Sequence, residues 1–330
     1  MSNFYCAISN KILLGGRKIF GILLFYLLIS NIFQNDVKAD KSGIIKIPKH
    51  DWSSQLVGAE VIGELMKMVG EKVEYIPMDS QAVYQEMAEG KIDIVNEIWE
   101  RPFGASYDKA KASGNIEEIL THDAITREDW WYPTYVEEVC PGLPNWKALN
   151  NCFDKFTKAD SNGKGVFIGG PKNWKKYNIE RIDALGMNFV VKHASSAGGI
   201  WSQLDEAVAK KIPIVIYNWS PNFVGAKYDG KFVEFPKYHP KCTSDPTWGI
   251  NPNAIYDCGN QADGYLKLAV NKDFKTNHPA GYKLIKKMKL SGSEIDKMAY
   301  YVDVEGHSIF NATQRWLAEY KFKWSEWIKN

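Results

Sequence analysis

The stretch from Ile44 to Val95 alternates between two hydrophobic periods, and no other feature limits the possible folds as strongly. Ile44 to Ile47 reads as a strand, and Val57, Val61, Ile62, Leu65 and Met66 then recur at helical spacing. Lys72 to Ile76 reads as a second strand, followed by a helix through Tyr84, Met87 and Ala88 that stops at Gly90. A third strand, Ile92 to Val95, comes at once. Strand, helix, strand, helix, strand is the order of a parallel α/β sheet, because each helix covers a sheet face while it returns the chain.

The middle of the chain repeats the theme. Val166 to Ile168 runs into the turn Gly169-Gly170-Pro171, and Asn188 to Lys192 is another apolar strand. A helix from Ile200 to Ala209 precedes the buried-type strand Ile214 to Tyr217. With 330 residues, 45% of them hydrophobic, the chain is long enough for two such units. The expected class is therefore α/β with two lobes, one built from 43–125 plus 219–330 and the other from 126–218. Hinges are expected near Ile125 and Trp219.

The first residues read as an export signal. Lys11, Arg17 and Lys18 form a positive region, Ile19 to Ile32 an apolar run, and Val37-Lys38-Ala39 a cleavage-type triplet. The apolar run is shorter than a bilayer span needs, so the expectation is a cleaved segment 1–39 and a periplasmic mature chain. The formal charge of +2 is too balanced for a nucleic-acid binder. Cys6 falls in the signal. Of the other four cysteines, Cys140 and Cys152 lie close in sequence, as do Cys242 and Cys258. Two local disulfides are the simplest of the three possible connectivities in an exported chain. No metal site or cofactor is expected.

In open α/β sheets, ligands bind beyond the carboxyl ends of strands. Trp52, Trp99 and Trp219 each stand just after an expected strand, and Trp130-Trp131 lie on a segment expected to cross between lobes. A quaternary ammonium has no N–H to donate, so ring faces rather than hydrogen bonds select it. Each ring is worth roughly 0.5–2 kcal/mol as desolvation increases. Burying the methyls adds about 0.8 kcal/mol per carbon, and micromolar binding needs about 8 kcal/mol in all. Carboxylates near such a cage, Glu97 and Glu128, would add attraction for the cation. Backbone N–H groups at Gly169-Gly170-Pro171 and Ala194 to Gly198 are candidates for the solute's anionic end.

At these residues the chain resembles the substrate-binding proteins of glycine betaine/proline-type ABC importers. The motifs are DWSSQ, EGKIDIVNEIW, DWWYPTYVEEVCPGLPNWKAL, GGPKNW and PIVIYNWSP, in order along the chain. The resemblance implies a two-lobed type II periplasmic binding protein that closes on a methylated ammonium and docks on membrane permease subunits. It implies a monomer and no enzymatic activity. It implies cage roles for Trp52, Trp99 and Trp219, completed by one of Trp130, Trp131 or Tyr132, with Asn173 as a polar contact. Some choline-type members carry an acid two positions after the first cage tryptophan; Ser54 stands there in this chain. Glycine betaine is the first expectation, with trimethylamine N-oxide and dimethylsulfoniopropionate next.

Two other classes compete. An aromatic carbohydrate-binding protein also uses tryptophan platforms, with planar amides such as Asn96, Asn218 and Asn222 around them. A secreted hydrolase would use His193 with Ser195 or Ser196, although no nucleophile-elbow, zinc-protease or phosphate-loop motif is present.

Overall fold

The computed structural model describes residues 43–99 and 104–329. The expected signal 1–39, with Cys6, lies outside the described residues. No described helix is long and apolar enough to cross a membrane.

In the first lobe, strand β1 (Ile44–Lys49) leads into helix α1 (Ser53–Met68) and strand β2 (Lys72–Pro77). β1 and β2 pair in parallel, as a strand–helix–strand unit must. Helix α2 (Val83–Ala88) ends at Gly90, whose φ of +75° is the left-handed conformation that closes a helix. Strand β3 (Ile94–Trp99), helix α3 (Gly104–Ala112) and strand β4 (Ile116–Thr121) follow.

Strand β5 (Arg127–Pro133) opens the second lobe. It continues through helix α4 (Trp146–Asn151), strand β6 (Gly165–Gly169), helix α5 (Asn178–Ala184), strand β7 (Phe189–His193) and helix α6 (Ala197–Lys210). Strand β8 (Val215–Ser220), the short helix α7 (Val224–Lys227) and strand β9 (Gly230–Phe232) complete it. The sheet order is β7-β6-β8-β5-β9, with β6, β7 and β8 parallel and β5 antiparallel to both its neighbours.

Two expectations are corrected here. The third strand does not extend a parallel sheet. β3 pairs antiparallel with the late strand β10 (Leu266–Asn271), which also pairs with β4. Lys46 O accepts from Asp93 N at 3.0 Å and Lys46 N donates to the Asp93 carboxylate at 2.8 Å, which holds β3 beside β1. The lobe boundary also moves. β9 is hydrogen-bonded to β5, so the chain after Trp219 still belongs to the second sheet. The crossings are Thr126 and Gly264, which exchange backbone hydrogen bonds at 2.9 and 3.0 Å. Residues 219–263 thus build the second lobe rather than the first. Strand pairing is a long-range choice that local periodicity does not encode.

Both expected disulfides are formed, Cys140–Cys152 and Cys242–Cys258. After β10, helix α8 (Phe274–Asn277), α9 (Pro279–Ile285), α10 (Gly292–Asp303), α11 (Ile309–Glu319) and α12 (Lys321–Ile328) pack on the first lobe. Ser291 and Glu294 form a reciprocal cap at the start of α10. α11 and α12 meet at Tyr320, and Trp316, Trp324 and Trp327 on them are buried in the packing.

Candidate functional site

Trp52 sits where β1 gives way to α1, the first turn beyond a strand's carboxyl end. Trp99 is the last residue of β3, and Trp219 lies within β8 rather than after it. These three meet in one cleft with Glu128, Trp174, Lys176 and Tyr217, enclosing about 250 Å³ including the part open to solvent. The first lobe supplies Trp52 and Trp99, and the second supplies the rest.

The rings form walls that meet nearly at right angles. Trp174 stands edge-on to Trp52 at 6.1 Å and 84°, and to Trp219 at 5.5 Å and 77°. Tyr217 adds a further face, 5.9 Å from Trp174 and 5.7 Å from Trp219. His50 stacks behind Trp52 at 5.0 Å, and Trp201 backs Trp219 at 4.9 Å. Perpendicular ring faces around one volume present converging negative quadrupoles, the arrangement that attracts a diffuse cation.

Glu97 fixes two of these walls. Its Oε2 accepts from Trp52 Nε1 at 2.7 Å, Ser54 Oγ at 3.3 Å and Trp99 Nε1 at 3.3 Å. Both indole N–H groups are thereby aimed at the carboxylate. Burial raises the Glu97 pKa, and the three donors pull it back. Glu97 does not itself line the cleft; it acts by orienting rings that do.

Glu128 does line the cleft, as a member of an ion pair. Lys176 Nζ donates to Glu128 Oε1 at 2.6 Å, with side-chain exposures of 6% and 11%, and Tyr217 OH donates to the same oxygen. Burial lowers the Lys176 pKa, with Glu128 opposing that shift, and burial raises Tyr217 well above the usual phenol range. The Lys176 ammonium lies over the Tyr217 ring at 4.8 Å and the Trp174 ring at 5.8 Å. The walls therefore already accommodate one cation on their ring faces.

The expectation that Trp130, Trp131 or Tyr132 completes the cage is not met. Trp130 stacks on Phe167 at 3.9 Å and 6°, and its Nε1 donates to Asn178 at 2.8 Å. Trp131 packs on the other face of β5, where Gly230 leaves room for its ring; a Cβ there would fall 1.9 Å from it. Tyr132 is fully buried and donates to Glu137 at 2.8 Å. From Trp130 onward both faces of β5 are covered inside the second lobe, so its aromatic residues pack there. Asn173 is likewise not in the cleft. It is exposed and donates to Asp79 of the first lobe at 2.6 Å, while the adjacent Trp174 Nε1 donates to Asp51 at 3.3 Å. These two bonds tie the lobes together at the rim.

Sequence reasoning missed Trp174, Lys176 and Tyr217. Tyr217 was legible, since it lies two positions before Trp219 on one strand and so shares its face. Trp174 and Lys176 sit on a loop with left-handed residues at Lys175 and Tyr177, which no periodicity reveals. The amides of the carbohydrate reading are engaged elsewhere: Asn96 accepts from Gln55, and Asn222 donates to Asn218. The hydrolase reading fares no better, because His193 contacts Gly170 O and Ser196 caps α6.

Among known proteins, the family described as the substrate-binding domain of ABC-type glycine betaine transport systems, OpuAC, matches residues 43–319. The chain is 42% identical over 301 residues to the trimethylamine N-oxide-binding protein of Pelagibacter ubique, covering 88% of this chain and 92% of that one. Two solved structures share the fold at low identity. Lactococcal OpuAC, closed on glycine betaine, has a TM-score of 0.67 and 18% identity, with 87% of this chain and 99% of that chain covered. A choline-binding protein of an ABC transporter, in complex with choline, has a TM-score of 0.68 and 15% identity, with 87% and 91% covered. Two α/β lobes around a ring-lined cleft are thus a type II binding-protein fold, and the matching family and the 42%-identical relative are solute-binding proteins, not enzymes. The chain belongs to the family of substrate-binding domains of ABC-type glycine betaine transport systems.

Proposed function

We propose that this protein captures trimethylamine N-oxide in the cleft of Trp52, Trp99, Trp174 and Trp219 and delivers it to the permease subunits of an ABC importer. Glycine betaine and dimethylsulfoniopropionate follow in that order. The observation that carries the reading is the pairing of perpendicular tryptophan walls with a single ammonium, Lys176, at one side of the same small volume. Ring faces take the methylated positive centre. The Lys176 ammonium, with three N–H groups, offers a donor to an anionic oxygen.

The N-oxide moves ahead of glycine betaine for two reasons. Its oxygen is bonded directly to nitrogen, which suits donors that stand against the ring walls themselves, since Lys176 lies over two of those rings. The 42%-identical relative is also named for that ligand. Glu128, paired with Lys176 at the cleft, and Glu97, behind the Trp52 and Trp99 rings, are two carboxylates around the ring walls, which favours a positive centre between them.

Export to the periplasm and action as a monomer belong to the same proposal. So does closure, in which ligand contacts from both lobes favour the closed state and shift its population.

The test is calorimetric titration of ligand-stripped protein with trimethylamine N-oxide, glycine betaine, dimethylsulfoniopropionate, choline and a neutral sugar. Micromolar or tighter binding of the N-oxide, with no heat from sugar, is expected. Tryptophan-to-alanine changes at positions 52, 99, 174 and 219 should each weaken it at least tenfold. Binding of sugar, or full affinity in all four variants, would overturn the reading.

A further inference from the structure

The cleft lysine is held in an unusual way. Lys175 and Tyr177, the residues on either side of Lys176, both adopt the left-handed region, with φ of +48° and +53°. Such conformations are unfavourable for residues other than glycine and persist only where the surroundings over-determine them. The surroundings that hold Tyr177 are visible: its ring stacks on Tyr256 at 4.5 Å and 9°. Tyr256 is itself left-handed, with φ of +67°, and its N–H donates to Cys242 O at 2.7 Å inside the loop closed by Cys242–Cys258.

The same disulfide loop also reaches the other half of the ion pair. Just past Cys258, Asn260 Nδ2 donates to Glu128 O at 2.6 Å, and Asn260 N donates to the Asp129 carboxylate at 2.8 Å. Arg181, on the helix that follows Lys176, donates to Asn260 at 2.7 Å and to Asp129 at 2.5 Å. Asn251, also in the loop, donates to Ala184 O at the end of that helix at 2.7 Å. The backbones that carry Lys176 and Glu128 are therefore both fastened to one cross-linked loop that lies outside the cleft.

We infer that the Cys242–Cys258 loop, acting through the Tyr256–Tyr177 stack, is a positioning element that sets where the Lys176 ammonium stands and so determines specificity for the oxygen-bearing end of the solute. Tyr256 is a positioning residue, since it does not line the cleft. The inference rests on the proposed cleft function. Losing the stack frees the two left-handed residues to relax, and Lys176 then leaves the geometry needed to donate to the oxide. Trp52, Trp99 and Trp219, carried by other segments, stay in place, and Trp174, which precedes the two left-handed residues, keeps its own anchor through Nε1 to Asp51. The oxide of trimethylamine N-oxide should therefore lose its donor, whereas a methylated cation with no oxygen should notice little.

The experiment compares wild type with Tyr256→Ala and Tyr256→Phe, titrating trimethylamine N-oxide and tetramethylammonium. In parallel, amine-reactive labelling of Lys176 in the ligand-free protein is read by peptide mass spectrometry. Tyr256→Ala should weaken N-oxide binding at least tenfold and tetramethylammonium less than twofold, and should raise labelling of Lys176 severalfold. Tyr256→Phe, which keeps the stack, should stay within twofold of wild type in every readout. Should Tyr256→Ala lack a cooperative thermal transition, Tyr256→Leu replaces it, covering the site without a ring plane. Unchanged N-oxide affinity, or equal weakening toward both ligands, overturns the inference. If wild type binds neither ligand, the proposed function fails instead. The labelling then decides the positioning by itself: equal modification of Lys176 in wild type and variant overturns it.

Discussion

Trp52 Nε1 and Glu97 Oε2 are joined by a 2.7 Å hydrogen bond between the residue that precedes α1 and strand β3, and the same oxygen takes Trp99 Nε1 at 3.3 Å. One buried carboxylate thus sets the orientation of both first-lobe walls and leaves a negative charge behind them. Glu97→Gln keeps an acceptor oxygen but removes that charge. Because burial opposes the ionised form in the native state, the folded pKa lies above the unfolded one. Stability from this group is then greatest at acid pH and is lost as pH rises through the folded pKa. The variant should therefore melt no lower than wild type at pH 7, while affinity for the methylated solute falls severalfold. Calorimetry and thermal melts on one preparation check both signs.

Trp130 provides the contrasting case. It is fully buried and stacked on Phe167 in the second-lobe core. Trp130→Phe removes ring volume and the hydrogen bond to Asn178, and should destabilise by about 1–3 kcal/mol. The folded variant should bind solute within twofold of wild type. Denaturant unfolding and a titration, run together, separate this packing role from a cage role.

The rim contact between Asn173 and Asp79 joins the two lobes at an exposed position, so it favours closure without lining the cleft. A net hydrogen bond of about 1 kcal/mol corresponds to roughly a fivefold population shift. Asn173→Ala should weaken solute binding by up to that factor, chiefly through faster dissociation. Small-angle scattering should show a more open ligand-free protein. Stopped-flow tryptophan fluorescence gives the rates.

His122 sets an acid limit on the first lobe. Leu290 N donates to its Nδ1 at 3.1 Å, so Nε2 carries the proton and donates to Asn96 O at 3.1 Å. Burial lowers its pKa to about 4, and His50 behind Trp52 is lowered to about 4 in the same way. A depressed folded pKa gives stability that is present above the unfolded value of about 6.5 and lost as pH falls toward 4. Each histidine contributes at most about 3 kcal/mol over that window. Urea midpoints between pH 7.5 and 4.5 should fall accordingly, and His122→Gln should flatten the slope while lowering the pH 7 midpoint.

What the sequence determined by itself was everything carried by local period and short-range pairing. The β1–α1–β2 unit, the two local disulfides and the strand-end positions of Trp52 and Trp99 follow from residues adjacent or nearly adjacent in the chain. Trp219 was legible as a cleft residue for the same reason, although its strand runs past it. What only the tertiary structure decided was which segments meet. The pairing of β3 with β10 and of β9 with β5 moved the lobe boundary to Gly264, because a strand's partner is chosen across the whole chain. Trp130, Trp131 and Trp174 are chemically alike, and composition cannot separate them. Sheet neighbours bury the first two in the core, while a left-handed loop swings Trp174 and Lys176 to the cleft. Burial is a property of three-dimensional surroundings, which is the physical reason that only the folded chain decides which rings line the cleft.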